Sequence, residues 1–192
     1  IFFRFLEHFL LANRVVVWSQ RLRLHTAVAT MASHTSVLSP PHMAVLKGDL
    51  DELKRCCAAE LHERDASGNT TLITAVDSGH EDVVEFLMGL EPHIDVDAKG
   101  MTGNTALHRA CRRGHAKLAH RLLQASANPD IPNDKSQYPL HVAAFYQNCA
   151  CVEALLAFGA NAAVTDRKGR TPAEDTKDAS IAAMLRRPPG EG

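Results

Sequence analysis

Gly103-Asn104-Thr105-Ala106-Leu107-His108-Arg109-Ala110-Cys111-Arg112-Arg113-Gly114-His115 decides the fold, because parts of it recur in register along the chain. Thirty-five residues earlier stands Gly68-Asn69-Thr70-Thr71-Leu72-Ile73-Thr74-Ala75, closed by Gly79-His80. Thirty-three residues later stands Tyr138-Pro139-Leu140-His141-Val142-Ala143-Ala144, and a further step of thirty-three reaches Gly169-Arg170-Thr171-Pro172-Ala173. Self-similarity at a fixed period of this size means that one supersecondary unit, unable to bury its apolar face alone, stacks on copies of itself.

A Thr-x-Leu-His core at this period resembles the ankyrin repeats, and the resemblance covers residues 34 to about 186. It implies an all-α repeat solenoid, an ankyrin-like stack of helix-turn-helix units with projecting β-hairpin loops. The units fall at about 34–64, 65–99, 100–132, 133–165 and 166–186. The middle three are well formed. The outer two are degenerate capping repeats, which present a polar face to water.

The residue chemistry agrees. Thr105 precedes a helix that its hydroxyl can cap. Pro139 and Pro172 stand at first helical positions, where a missing N–H is no loss. Leu107 and Leu140 point into the stack, while Ala110, Ala143 and Ala144 keep neighbouring helices close. Gly79 and Gly114 end the inner helices, where a left-handed residue is wanted. Val83, Val84, Phe86, Leu87, Leu118, Leu122, Leu123, Val152, Leu155 and Leu156 form the apolar stripe of the outer helices. The first unit's outer helix is expected from Leu50 to Ala59, with Asp51, Glu52, Lys54 and Arg55 charged.

Departures from the pattern carry expectations of their own. Ile73 stands where the motif has His, so the second unit should lack that residue's hydrogen bonds to neighbouring turns. Tyr138 replaces Thr and removes a cap hydroxyl. Two extra residues within 89–94 should make that loop bulge. Ser126 stands where Gly159 stands one repeat later, so it is strained if the position needs positive φ.

Composition bounds the function. The chain of 192 residues is 45% hydrophobic and carries a net charge of −1. Residues 31–192 hold 17 basic against 21 acidic residues, net −4, which does not point to nucleic acid. Cys56, Cys57, Cys111, Cys149 and Cys151 are odd in number and lack scaffold spacing. They read as free thiols in a reducing compartment, cytoplasmic and also nuclear. Of the eleven histidines, His42, His108 and His141 fill the fourth place of the core motif, and His80 and His115 follow an inner-helix Gly. Position in a repeat, rather than metal binding or catalysis, accounts for these. No phosphate-binding or hydrolase motif occurs. The reading is therefore non-catalytic, with no cofactor, no metal and no small-molecule substrate.

Residues 1–33 form a non-repeat extension. Within 1–30, Arg4, Arg14, Arg21 and Arg23 stand against Glu7 alone, net +3. Translated upstream sequence ahead of Met31, an Arg-rich mitochondrial presequence, and a disordered or surface-lying helix all stay open. Its charges interrupt every window long enough to span a bilayer. Residues 187–192 read as a disordered tail.

The resemblance also implies where function lies. In ankyrin-like chains the variable positions at inner-helix ends and hairpin tips line a concave, protein-binding surface. Carried over by position, the inner-helix ends are Asp77 and Ser78, Arg112 and Arg113, Phe145 and Tyr146. The tips add Met101, Lys135, Gln137, Arg167, Lys168 and Arg170. The expected partner is another protein that presents acidic and apolar groups, met by a monomer acting as adaptor, inhibitor or assembly chaperone. The alternative is a regulatory ankyrin domain or fragment of a larger enzyme or channel.

Overall fold

The computed structural model describes residues 40–90 and 93–186. These residues belong to one compact unit, Leu38–Gly192. The readings of residues 1–33 and of the tail at 187–192 lie outside the described residues, as do residues 91–92 of the loop 89–94 that is expected to bulge.

The chain is all-helical among the described residues apart from one isolated antiparallel bridge, Arg64 to Thr70. The inner helices are α1 (Pro40–Lys47), α4 (Thr71–Ser78), α6 (Ala106–Arg113), α8 (Pro139–Phe145) and the short α10 (Pro172–Asp175). Each packs on the next in a single row. The outer helices are α2 (Leu50–Arg55), α5 (Glu81–Met88), α7 (Ala116–Gln124), α9 (Cys149–Ala157) and α11 (Ala179–Arg186), with α3 (Ala58–Leu61) an extra turn.

The core runs the length of the stack. Leu72, Leu107 and Leu140 of successive inner helices are fully buried, as are Ala110, Ala143 and Ala144 between them. Val83, Val84, Leu87, Leu122, Val152 and Leu155 close it from the outer layer, with Phe86 and Leu156 half-buried at its margin. Burying one such leucine contributes about 2 kcal/mol. Because the row is continuous, each unit depends on its neighbours.

Glycine's freedom matters where repeats touch. Gly79 (φ +80) and Gly114 (φ +77) end α4 and α6 in the left-handed region. A Cβ on Gly79 would lie 2.9 Å from the His115 ring, and one on Gly114 would lie 2.8 Å from Asn148 Oδ1. The next repeat therefore excludes a side chain that the backbone already disfavours. The fourth unit places Gln147 at φ +59 in the corresponding position, and Ser126 adopts φ +66, confirming that its site is left-handed.

The first outer helix is shorter than expected. α2 stops at Arg55, and Cys56 (ψ 145) and Cys57 (ψ 156) are extended. Glu60 then receives the Cys57 N–H at 3.0 Å and starts α3. Leu53 before the break and Leu61 after it are both buried in the core.

Hairpin tips repeat one device. Asp65 Oδ1 accepts the N–H groups of Ser67 and Asn69, both at 2.8 Å. Asn133 Oδ1 does the same for Lys135 and Gln137, and Asp166 Oδ1 for Lys168 and Arg170. Gly100 occupies the equivalent place in the third unit. A Cβ there would lie 2.6 Å from Asn69 Oδ1 and 2.8 Å from Ile73 Cδ1. Ile73, in place of His, thus fills the space, and Asn69 Oδ1 instead accepts the Met101 N–H at 3.0 Å.

The motif histidines tie the units together. His108 Nδ1 accepts the Thr105 N–H at 3.2 Å, which fixes the proton on Nε2, and Nε2 donates to the Gln137 carbonyl at 3.0 Å. Burial lowers the His108 pKa from 6.5 to about 4, so the ring is neutral at physiological pH. His141 Nε2 stands 2.9 Å from the Arg170 carbonyl, and His42 Nε2 3.2 Å from that of Asn69. Tyr138 lacks a cap hydroxyl but stacks on His141 at 5.8 Å.

Candidate functional site: the inner-helix ends and hairpin tips

The first four inner helices run into a left-handed residue, Gly48, Gly79, Gly114 or Gln147, and the residues just before that stop lie in equivalent places along the row. The sequence-predicted pairs sit there, and their environments differ. Phe145 is 58% exposed and Tyr146 47%, so neither ring belongs to the core. Their rings meet edge to face at 5.2 Å. Arg112 lies over the Tyr146 ring, its guanidinium carbon 6.0 Å from the centroid. The third and fourth repeats therefore share one continuous cation–aromatic surface.

Arg113 is engaged within the stack. Its Nε donates to Asp77 Oδ1 at 3.1 Å and its Nη2 to Asp77 Oδ2 at 2.7 Å. These bonds hold the Asp77 carboxyl below its ordinary range, and the paired charge raises Arg113. Ser78 beside it is exposed. The acidic-then-basic order along the edge is thus an internal pairing between adjacent repeats.

The tips divide in the same way. Met101 is 47% exposed, and Lys135 and Lys168 are exposed. Arg167 Nη2 donates to the Asp134 carbonyl at 2.6 Å. Arg170 lies 2.8 Å from Asp166 and 2.7 Å from the buried Asp175. Backbone and side-chain hydrogen bonds from Arg170 take the Asp166 carboxyl down to about 2. Among the described residues, the sequence-predicted cations on this edge with no ion pair to the protein are Arg112, Lys135, Arg167 and Lys168, of which Arg167 is held by the Asp134 carbonyl.

Between the third and fourth tips lies a cleft of about 180 Å³. Arg112, Lys135, Gln137 and Tyr146 line it together with Asn104 of the third tip, and so do Arg109, Asn133 and Val142, which the sequence reading assigned to no site. Arg109 was the legible one. It follows the motif His, at a position held by Thr74 and Val142 in the neighbouring units, so a cation there is out of pattern.

The opposite layer carries a larger groove of about 830 Å³ between α5, α7 and α9. Lys117 to Glu81 at 3.8 Å and Arg121 to Glu85 at 3.5 Å span it. The charge segregation between the second and third units is therefore an exposed pairing of neighbouring outer helices, worth about 0–1 kcal/mol per pair. Among the described residues no three His, Cys, Asp or Glu side chains gather to hold a metal, and no helix is long and apolar enough to cross a membrane.

A row of short inner helices backed by outer helices, tied by histidines to the next tip, defines an all-α repeat solenoid. Comparison with known proteins gives its family. The model for ankyrin repeats, three copies, matches residues 41–133 and 92–166, and the chain belongs to that family. It is similar to human transient receptor potential cation channel subfamily A member 1, 29% identical over 62% of this chain and 14% of the relative. It is also similar to Xenopus tropicalis neurogenic locus notch homolog protein 1, 37% identical over 55% of this chain and 4% of the relative. Human Rabankyrin-5 is 33% identical over 50% of this chain and 10% of the relative. The chain thus spans at most 14% of these three relatives. Ankyrin repeats are in general non-catalytic protein-interaction modules.

Proposed function

We propose that this chain is a non-catalytic interaction module, an adaptor, inhibitor or assembly chaperone, that holds another protein along the concave ankyrin surface. One observation carries the reading. Phe145 and Tyr146 stand side by side and about half exposed, with the unpaired Arg112 laid over Tyr146. Two adjacent aromatics in water cost hydration free energy that a partner's apolar group recovers, and Tyr and Arg are the side chains that dominate interface energetics. The partner presents an apolar group to the aromatics and acidic groups to the cationic edge formed by Arg112, Lys135 and Lys168.

The test is affinity capture from the native cell, comparing the intact chain with a Phe145→Ser/Tyr146→Ser variant whose fold is checked by circular dichroism. Partners lost with the variant support the surface. Partners retained in full exclude it.

A second reading has its own support. The relatives are far longer than this chain, and one is a cation channel. In that reading the repeats are a regulatory segment of a larger enzyme or channel, using the same surface. Measuring the mass of the native protein separates the two.

A further inference from the structure

We infer that the cleft between the third and fourth hairpin tips is a receptor for one carboxylate side chain of an extended partner segment, with an apolar or aromatic neighbour of that residue lying against Tyr146. This rests on the interaction-module reading and specifies its anchor.

Three observations carry it. The first is charge. Arg109, Arg112 and Lys135 line a space of about 180 Å³, and no Asp or Glu lines it. A concave site with cations on its wall and no counter-charge concentrates field on whatever enters. The second is a charge only loosely matched within the fold. Arg109 is only 12% exposed, and its carboxylate contact, Asp77, is 3.9 Å away and held by Arg113. A carboxylate entering the cleft gives this side chain a further counter-charge. The third is the lining. Val142 and Tyr146 give it an apolar part, and Asn104, Asn133 and Gln137 a polar one.

A space of about 180 Å³ accommodates a carboxylate side chain. The planar guanidinium of Arg112 offers paired donors to two oxygens, and Lys135 adds a point charge. Arg112 is already oriented by Tyr146, so less side-chain freedom is lost when an oxygen binds. The neighbouring Phe145, edge to face with Tyr146, enlarges the apolar shelf.

The experiment is selection of displayed random linear peptides on the full chain, followed by titration of the selected peptides. The expected result is an Asp or Glu fixed at one position beside an apolar or aromatic residue. Replacing that acid with its amide, or introducing Arg112→Gln or Lys135→Gln, should weaken binding by about tenfold, while Lys117→Gln on the outer face leaves it unchanged. Two outcomes overturn the inference while sparing the broader reading. Peptides that lose binding with Tyr146→Ser but carry no fixed acid would do so, as would peptides that bind equally as acid and amide. Selected peptides indifferent to Tyr146→Ser, or no selected peptides at all, would overturn both. Thermal melts of each variant separate lost binding from lost fold.

Discussion

Arg113 grips Asp77 of the preceding repeat through two hydrogen bonds, at 3.1 Å and 2.7 Å. Arg112, one residue earlier in the chain, instead lies over Tyr146 of the following repeat. Adjacent arginines at one helix end thus face opposite neighbours. One closes a seam within the stack, and the other is left with its charge available.

That division predicts different consequences. Asp77→Asn should cost no more than about 1 kcal/mol, because Arg113 is 49% exposed and solvent screens the pair. A double-mutant cycle with Arg113→Gln should show coupling of the same size. Arg112→Gln should leave the melting temperature nearly unchanged and reduce peptide or partner binding more than Arg113→Gln does. The reverse order of binding losses would show that the double-Arg end acts as one patch.

Backbone strain gives a second prediction. Ser126 (φ +66) and Gln147 (φ +59) are exposed residues in the left-handed region. Glycine relieves a penalty of about 1 kcal/mol at each site, and the two gains should add. Gly114→Ala makes the contrast, since it places a Cβ 2.8 Å from Asn148 Oδ1 at φ +77. The expected outcome is a higher melting temperature for Ser126→Gly and Gln147→Gly and a lower one for Gly114→Ala. A drop for the first two would mean that another interaction holds those positions.

The sequence made the row of inner helices legible because Thr, Leu, His, Ala and Gly recur where each unit touches the next. His108 and His141 could be assigned to the stack before their hydrogen bonds were known. Features that depend on pairs of units were not legible. The Asp77–Arg113 link joins residues 36 apart, and either residue alone reads as a solvated charge. The swap of His for Ile73 makes sense only beside Gly100, whose missing Cβ gives it room. The stop at Cys56 carries no Gly or Pro to announce it, and Glu60 accepting the Cys57 N–H starts the next turn instead. The candidate site divided likewise. Its exposed aromatics lay where the repeat pattern put them, whereas Arg109 carried only the weaker signal of a cation out of pattern, and the shape of the cleft tied it to the site.

The buried His108 should make the fold acid-sensitive. Its pKa is about 4 in the fold against an ordinary 6.5, so between those values the unfolded chain binds a proton that the folded chain refuses. Stability therefore rises with pH across that window and is lost as pH falls from 6.5 toward 4, by up to about 3 kcal/mol from this residue. His108→Gln should be less stable at neutral pH but show a shallower loss on acidification in urea unfolding. Parallel pH profiles for the two proteins would place the sensitivity elsewhere.

The last repeat is held by Arg170, whose side chain stands 2.7 Å from Asp175 and whose carbonyl accepts from His141. Asp175 is 1% exposed in its side chain, and burial raises its pKa, with Arg170 acting against that rise. Removing the cation should therefore hurt more than removing the carboxylate, because Arg170→Gln leaves a buried charge without its partner. Arg170→Gln should lower the melting temperature more than Asp175→Asn, and the double variant should recover part of the loss. The deficit of Arg170→Gln should also shrink toward acid pH. In that variant the Asp175 pKa in the fold stands further above its unfolded value, so the folded chain takes up the proton first and gains stability as pH falls through the raised pKa. Additive single losses, or a deficit independent of pH, would mean that the pair is screened and that the hydrogen bond to His141 alone holds the end of the stack.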